Sequence, residues 1–152
     1  MTVAHWLMKS EPNEYSIDHL KADKVEPWDG IRNYQVRNMF RDDFKVGDRA
    51  FFYHSSCKVP AIVGTMKIAS KAYPDPTQFD PDSGHFDPQS DPDNPRWLLV
   101  DVKFNRKLKR PITLKELKEH PALGDFLLNK RGNRLSIFPV SKVHWDIILG
   151  LE

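Results

Sequence analysis

The sequence of 152 residues lacks the features that mark several common classes of protein. It has a single cysteine, Cys57, which excludes an intrachain disulfide and a zinc site built from several cysteines. Its N-terminal stretch, MTVAHWLMKSEPNEY, has only a short apolar part, interrupted by His5 and followed by Glu11. That pattern fits neither a signal peptide nor a membrane span. We therefore expect a cytoplasmic protein, or a nuclear one in a eukaryote, with no membrane partner.

A strongly basic composition is missing as well. Lys and Arg number 23 against 21 Asp and Glu, so the net charge is only +2. Charge alone therefore does not hold this protein on nucleic acid, and any such binding must rest on a local patch or pocket. The sequence contains neither a GxGxxG motif nor a P-loop lysine, and we expect no cofactor. The length and the 39% hydrophobic content suit one globular domain over residues 1–152.

Residues 73–95 form the most unusual segment of the chain. They contain six of the twelve prolines and six aspartates, but no lysine or arginine. Four Asp-Pro pairs exclude a helix or an inner strand, because proline lacks the amide donor and restricts the preceding residue. We expect a long acidic loop that is ordered, with Tyr73, Phe79 and Phe86 as its apolar anchors.

The remaining chain mixes strand-like and helix-like segments. Strands are predicted at 3–9, 49–54, 61–69, 96–104 and 134–140, and helices at 16–22, 33–44, 113–119, 122–128 and 141–149. Plausible N-caps are Ser16, Asn33, Thr113 and Ser141. The segments do not alternate regularly, as they would in a doubly wound fold. The pattern predicts an α+β protein with one curved sheet or barrel.

The stretch EPWDGIRNYQVRN at 26–38 places Trp28 at an Asp-Gly turn just before a helix. On a helical wheel, Val36, Met39, Phe40 and Phe44 share one face, and Tyr34, Arg37, Asn38 and Arg41 share the other. One interpretation is an ordinary half-buried tryptophan beside a solvated polar face. The other is an aromatic wall at the mouth of a pocket, with a helix N-terminus and guanidinium groups beside it to receive phosphates.

Long collinear motifs decide how this stretch is interpreted. The segments HWLMKSEP, WDGIRNYQVRN, GDRAFFYHS, AYPDPTQFDP, PRWLLVDVKF and RLSIFPVS resemble the EVE domain family over nearly the whole chain. The resemblance implies a PUA-like fold, a mixed β-barrel decorated by helices and related to PUA, ASCH and YTH domains. Several of those domains bind RNA or modified nucleotides.

The resemblance also implies a binding site. YTH domains hold a methylated base in an aromatic cage, and Trp28 is placed like one wall of it. The other residues in corresponding positions are Lys9, Ser10, Glu11 and Tyr73. Glu11 and Asp29 are acidic where that cage presents asparagine and a small hydroxyl residue, so we expect a different base edge to be read. Carboxylates accept hydrogen bonds from the amino group of cytosine, which favours a reader of modified cytosine in DNA.

Further candidate residues surround the expected pocket. Arg32, Arg37 and Arg41 are predicted to hold the phosphates of an extruded base. Asn33 and the strand-end residues Tyr53, His54 and Ser55 are predicted to contact a base or phosphate. For the last three, hydrogen bonding inside the barrel is the open alternative, and the same alternative applies to Ser136.

The same residues are compatible with other functions. An RNA-binding module for tRNA or rRNA is the main alternative. A glycosylase is another, with Glu11 as general base and Asp29 as its electrostatic partner. Cys57 near His54 lacks an orienting partner for a thiolate, and His85 among aspartates lacks the spacing of a metal site. We therefore predict a binding protein without catalytic or metal-ligating residues.

Overall fold

The computed structural model describes residues 3–152, so the first two residues of the predicted domain lie outside it. Eight strands run over His5–Ser10 (β1), Val25–Pro27 (β2), Arg49–His54 (β3), Ala61–Ile68 (β4), Tyr73–Pro74 (β5), Leu98–Leu99 (β6), Asp101–Thr113 (β7) and Ile137–Pro139 (β8). Four α-helices run over Ile17–Asp23 (α1), Tyr34–Asp42 (α2), Leu114–Glu119 (α3) and Lys142–Leu149 (α4). Three short 3₁₀ turns cover Pro76–Phe79, Pro121–Leu123 and Leu127–Asn129.

Six of the strands form one curled sheet, a half-barrel. Their order is β2-β7-β4-β3-β1-β8, and only the β1–β3 pair is parallel. Strands β5 and β6 form a small separate ladder. Because β1 and β3 run side by side in the same direction, the residues that follow both strands meet at one end of the sheet.

The half-barrel is covered on both faces, because its strands alternate two sets of apolar side chains. Trp6, Met8 and Phe52 face inward, where they pack with apolar residues of α1 and α2. Leu7 and Phe51 face outward, and Trp145 of α4 stacks on Phe51 at a ring distance of 3.9 Å. The predicted α+β class and the decorated barrel are confirmed. Among the described residues, no helix has the length and apolar character to cross a membrane.

The predicted elements agree with the structure except at five places. The prediction lacks strands β2 and β5, and only part of 134–140 forms a strand. The segment 96–104 covers β6 and the start of β7, which continues to Thr113. The helix predicted at 122–128 is wrong, because the chain there makes two 3₁₀ turns around Gly124. All four predicted N-caps, Ser16, Asn33, Thr113 and Ser141, accept a backbone N–H bond at the start of a helix.

The acidic loop at 73–95 is held by buried polar groups. Gln78 is fully buried, and its amide donates to the carbonyls of Asp75 at 2.7 Å and Trp97 at 2.8 Å. Ser90 in turn donates its hydroxyl to Gln78 at 2.5 Å. Tyr73 and Phe86 are 38% and 39% exposed, so the prediction of aromatic anchors is wrong for both. The loop's backbone needs hydrogen-bond partners more than it needs apolar contacts, and Gln78 supplies them.

Candidate functional site

A cleft of about 660 Å³ opens at the end of the sheet where β1 and β3 finish. Its walls come from the ends of β1 and β2, the turns that follow β1, β2 and β3, and the segment before β8. The lining residues are Lys9, Ser10, Glu11, Glu14, Tyr15, Glu26, Pro27, Trp28, Asp29, Gly30, Ile31, Ser55, Ser56, His85, Arg134 and Ser136. The volume lies within the range of small-molecule pockets and suits a nucleobase.

Trp28 belongs both to this cleft and to the inner core. Its side chain is only 8% exposed, and its ring meets Phe52 edge to face at 5.5 Å and 81°. Its backbone N–H donates to the carbonyl of Val100 at 2.9 Å. The cleft-facing part of the indole is therefore fixed from behind by the core, as a rigid wall.

The turn after Trp28 is tied down by one buried carboxylate. Asp75 is fully buried, and its Oδ2 accepts the N–H of Gly30 at 2.8 Å and a guanidinium N–H of Arg32 at 3.1 Å. Its Oδ1 accepts the N–H and hydroxyl of Thr77. Burial alone would raise the pKa of Asp75, but the hydrogen bonds from Thr77, Gly30 and Arg32 outweigh it and hold that pKa below the usual value.

Arg32 connects this turn to the acidic loop. Its Nη2 donates to the carbonyl of His85 at 2.6 Å and to the hydroxyl of Thr77 at 3.1 Å. All three of its guanidinium nitrogens have protein partners. Gly30 has φ +81°, and a Cβ there would lie 2.7 Å from Nε2 of His85. The His85 ring thus rests on the turn at the rim of the cleft.

The cleft wall combines perturbed carboxyls with a partly buried amine. Burial raises the pKa of Asp29, and the charge of Asp75 adds to that rise, while His85 and Arg32 oppose it. Burial also raises the pKa of Glu26, helped by the charges of nearby aspartates. Burial lowers the pKa of Lys9, whose ammonium lies 5.8 Å from the centre of the Phe138 ring. Two acidic residues and one lysine therefore belong to the lining of the same cleft.

Two hydroxyl residues from neighbouring strands line the floor where β1 ends. Ser10 donates its hydroxyl to the carbonyl of Tyr15 at 2.6 Å, which fixes the turn after β1. The N–H of Ser55 donates to the Ser10 carbonyl at 3.0 Å, so the turn after β3 lies against it. Six of the ten residues predicted for the base pocket thus line one cleft: Lys9, Ser10, Glu11, Trp28, Asp29 and Ser55. Ser136 lines it too.

The other four predicted pocket residues lie outside the lining. Tyr53 is 3% exposed and packs in the outer core. His54 accepts the N–H of Ile17 through Nε2 at 3.1 Å. This contact agrees with the alternative of hydrogen bonding inside the barrel. Asn33 caps α2 by accepting the N–H of Val36. The hydroxyl of Tyr73 donates to Asp101 of β7 at 2.6 Å, and Tyr73 is not among the residues that line the cleft.

The arginines of α2 also lie outside the cleft lining. Arg37 donates to the carbonyl of Arg96 at 3.0 Å and lies over the Tyr34 ring at 4.9 Å. Arg41 is exposed and pairs with Asp42 at 2.9 Å. The arginine that does line the cleft is Arg134, which the sequence reasoning missed.

Several other lining residues were missed, chiefly Glu14, Tyr15, Glu26 and His85. Glu26 directly precedes the Pro-Trp pair, so its position in the motif was the available signal. For His85, the aspartates around it in the sequence direct attention to metal binding and not to the cleft. Across residues 3–152, no group of three or more His, Cys, Asp or Glu side chains is arranged to hold a metal ion.

Comparison with known proteins places this geometry in a family. The EVE domain family matches residues 4–151. Human thymocyte nuclear protein 1 is 48% identical over 98% of this chain and 74% of its own length. A crystal structure of a Pseudomonas putida protein has a TM-score of 0.93 and 44% identity, covering 97% of this chain and 99% of the other. The human THYN1 protein in complex with DNA containing 5-methylcytosine has a TM-score of 0.91 and 47% identity, covering 97% and 96%.

Proposed function

This chain belongs to the EVE domain family, and from that premise we propose that its cleft binds nucleic acid by enclosing one modified base, with modified cytosine in DNA favoured. The observation that carries the proposal is that Trp28 and Asp29 line the same cavity of about 660 Å³. The relative that is bound to 5-methylcytosine DNA, 47% identical to this chain, supports it.

The indole supplies the stacking surface. A base extruded from a duplex loses its stacking and pairing, at a cost of a few kcal/mol. Stacking on an aromatic side chain returns about 1–3 kcal/mol. Because Phe52 and the Val100 carbonyl already fix Trp28, its ring needs little further ordering when a base arrives.

The carboxyls supply the reading of the base edge. The exocyclic amino group of cytosine donates hydrogen bonds, and Asp or Glu is its matching acceptor. Asp29 and Glu26 both line the cleft beside Trp28. The ammonium of Lys9 is a donor only, so it pairs with a carbonyl or phosphate oxygen of the ligand. The cleft therefore offers complementary groups to a base that carries both a donor edge and acceptor oxygens.

When a base is extruded into the cleft, the neighbouring nucleic-acid backbone stays at the mouth of the cleft. Its phosphates bring negative charge to that position. Arg134 and Lys9 are the Arg and Lys side chains that line the cleft, and we assign the phosphate contact to Arg134. Arg134 is exposed, so its guanidinium is accessible to a phosphate. The phosphate role predicted for Arg37 and Arg41 remains a second proposal, which a comparison of variants separates below.

We assign binding rather than turnover to the cleft. The glycosylase alternative would use Glu11 and Asp29, and both residues line the cleft. Incubation with oligonucleotides that carry modified cytosine, followed by strand cleavage at abasic sites, separates the two functions. We expect intact strands. Abasic-site formation that is lost in Asp29→Asn would replace the binding function by an enzymatic one.

The direct test is a titration with matched duplexes that differ in one cytosine, unmodified, 5-methylated or 5-hydroxymethylated, and with RNA of the same sequence. We expect the tightest binding for a modified DNA. Equal affinity for all the DNA duplexes would remove base reading from the proposal. Binding that follows RNA structure, whatever the base modification, would select the RNA-binding alternative.

A further inference from the structure

A row of basic side chains crosses the outer face of the sheet, away from the cleft. In the register of the strands, Arg49 of β3 lies opposite Lys67 of β4, and Lys67 lies opposite Lys103 of β7. Residues directly opposite each other project from the same face of a sheet. All three side chains are exposed. We call Arg49, Lys67 and Lys103 the basic row.

The row lies on the same face as α4 but beyond the residues that this helix covers. On β1, His5 pairs with Arg49 in register, and its ring contacts Trp145 of α4 at 4.6 Å. Arg49 begins β3, whereas the cleft residue Ser55 follows the end of that strand. Six residues of extended chain separate them by about 20 Å. The basic row is therefore distinct from the cleft.

The fold does not neutralise this row. Within the described part of the chain, none of its three members takes part in a salt bridge. The nearby acidic groups have other partners. Asp101 accepts the hydroxyl of Tyr73, Asp48 accepts the indole N–H of Trp6, and Asp146 pairs with Lys142. Like charges directly opposite in a sheet are destabilising, and no salt bridge offsets this cost in the row.

We propose that the basic row binds the phosphodiester backbone of nucleic acid, as a second contact surface separate from the cleft. Adjacent strands are about 4.8 Å apart, so the three charges form a line about 10 Å long. The face is open, and a single small anion gains little from exposed cations without enclosing walls. A linear polyanion gains from each charge in turn, because every neutralised phosphate releases counterions. The shape and sign of the row therefore match a nucleic-acid backbone.

The test uses a duplex without any modified base, so that the cleft plays no selective part. We compare the wild-type protein with the triple variant R49Q/K67Q/K103Q and with the control K21Q/K115Q/K118Q. The control removes the same charge from exposed lysines of α1 and α3. We expect the row variant to bind at least tenfold more weakly at low salt. Its log-log salt dependence should be shallower by roughly two to three, about 0.9 for each lost phosphate contact.

Folding is checked by thermal unfolding, and we expect the row variant to melt no lower than wild type, since opposed like charges have been removed. If it melts lower, Lys67→Gln alone, at the centre of the row, should still reduce the slope by about 0.9. Equal losses in the row and control variants would overturn the proposal. So would unchanged DNA binding in the row variant.

The outcome does not depend on base reading in the cleft. If wild type shows no preference for modified cytosine, the cleft proposal fails and the slope test of the row still stands. If the preference exists, the ratio of the affinities for modified and unmodified DNA should be unchanged in the row variant, because the binding of both duplexes weakens by the same factor.

Discussion

Arg32 donates to Asp75 at 3.1 Å, and this ion pair joins the turn that carries Trp28 to the acidic loop. The Asp75 side chain is fully buried, whereas that of Arg32 is 23% exposed. The pair therefore supports the cleft wall from behind. The buried carboxylate of Asp75 is stabilised by Arg32 and by hydrogen bonds from the N–H groups of Gly30 and Thr77. An arginine that sequence alone assigns to phosphate binding thus holds the wall in place.

Replacing Arg32 should therefore affect stability first. Removal of one partner from a buried ion pair typically costs 3–5 kcal/mol, and partial exposure of Arg32 reduces this to roughly 2–4 kcal/mol for Arg32→Ala. Urea unfolding measures it. The control is Arg41→Ala, whose exposed pair with Asp42 should leave the stability nearly unchanged. Unchanged stability with a shallower salt dependence of DNA binding would restore the phosphate role of Arg32.

Gly30 and Gly47 form a matched pair of glycines for testing the contact with His85. Both have positive φ, +81° and +95°, so alanine is strained at either position by about 1–2 kcal/mol. Only at Gly30 would the new Cβ also meet the His85 ring, at 2.7 Å. We expect Gly30→Ala to lose base selectivity and Gly47→Ala to keep it, at similar stability. If both variants kept full selectivity, the position of His85 at the rim would have no role in binding.

The acceptor role of Asp29 predicts a pH dependence. Burial raises the pKa of Asp29, with the charge of Asp75 adding to it, so protonation begins at a higher pH than for an ordinary Asp near about 3.9. Because the carboxylate accepts the cytosine amino group, affinity should fall as pH falls through that raised pKa. Binding titrations across the acid range should show this slope for wild type, and a weaker, flatter profile for Asp29→Asn.

Two controls accompany this pH series. Asp93→Asn changes an exposed carboxylate of the acidic loop and should leave the profile unchanged. The charge of His85 lowers the pKa of Asp29, so His85→Gln removes that influence and isolates the carboxyl. Affinity that rises on acidification in the His85→Gln background would mean that the protonated Asp29 donates to the base.

The fold was predictable where local patterns decide it. Alternation of apolar residues located β1, β3 and β4, and the side-chain oxygens of Ser16 and Thr113 marked helix starts. The strand predicted at 96–104 stops short of Thr113, where β7 ends. Its pairing with β4 is a long-range contact that local patterns do not contain.

The site was predictable only along single motifs. Lys9, Ser10 and Glu11 follow one strand, and Trp28 and Asp29 share one turn, so the motifs carried them together. Arg134 and His85 arrive from distant loops, and sequence spacing gives no sign of that. The sequence already argues against placing Tyr53 in the pocket, because alternation along the strand directs its side chain to the face opposite that of the inward-facing Phe52.

Arginine variants distinguish the two proposed phosphate contacts, one at Arg134 and the other at Arg37 and Arg41 of α2. If Arg134 contacts a phosphate, Arg134→Gln should weaken modified and unmodified DNA equally and lower the salt slope by about 0.9. Arg37→Gln and Arg41→Gln should then leave the slope unchanged. Filter binding at several salt concentrations measures all three variants. A reduced slope for Arg37→Gln or Arg41→Gln, with none for Arg134→Gln, would assign the backbone to α2 instead.

The last prediction concerns the Trp28 wall. Since Trp28 is 8% exposed, Trp28→Ala should cost roughly 3–5 kcal/mol of stability and is a poor test of binding alone. Trp28→Phe keeps an aromatic face, so we expect a folded protein whose preference for the modified base is reduced but present. The matched control is Trp145→Phe, because Trp145 is 2% exposed, packs in the outer core and is not among the residues that line the cleft. It should lose comparable stability and retain full selectivity. Thermal unfolding and DNA titration on the same preparations measure stability and selectivity for both variants. An equal effect of the two variants on selectivity would mean that Trp28 is a core residue and that the base binds elsewhere.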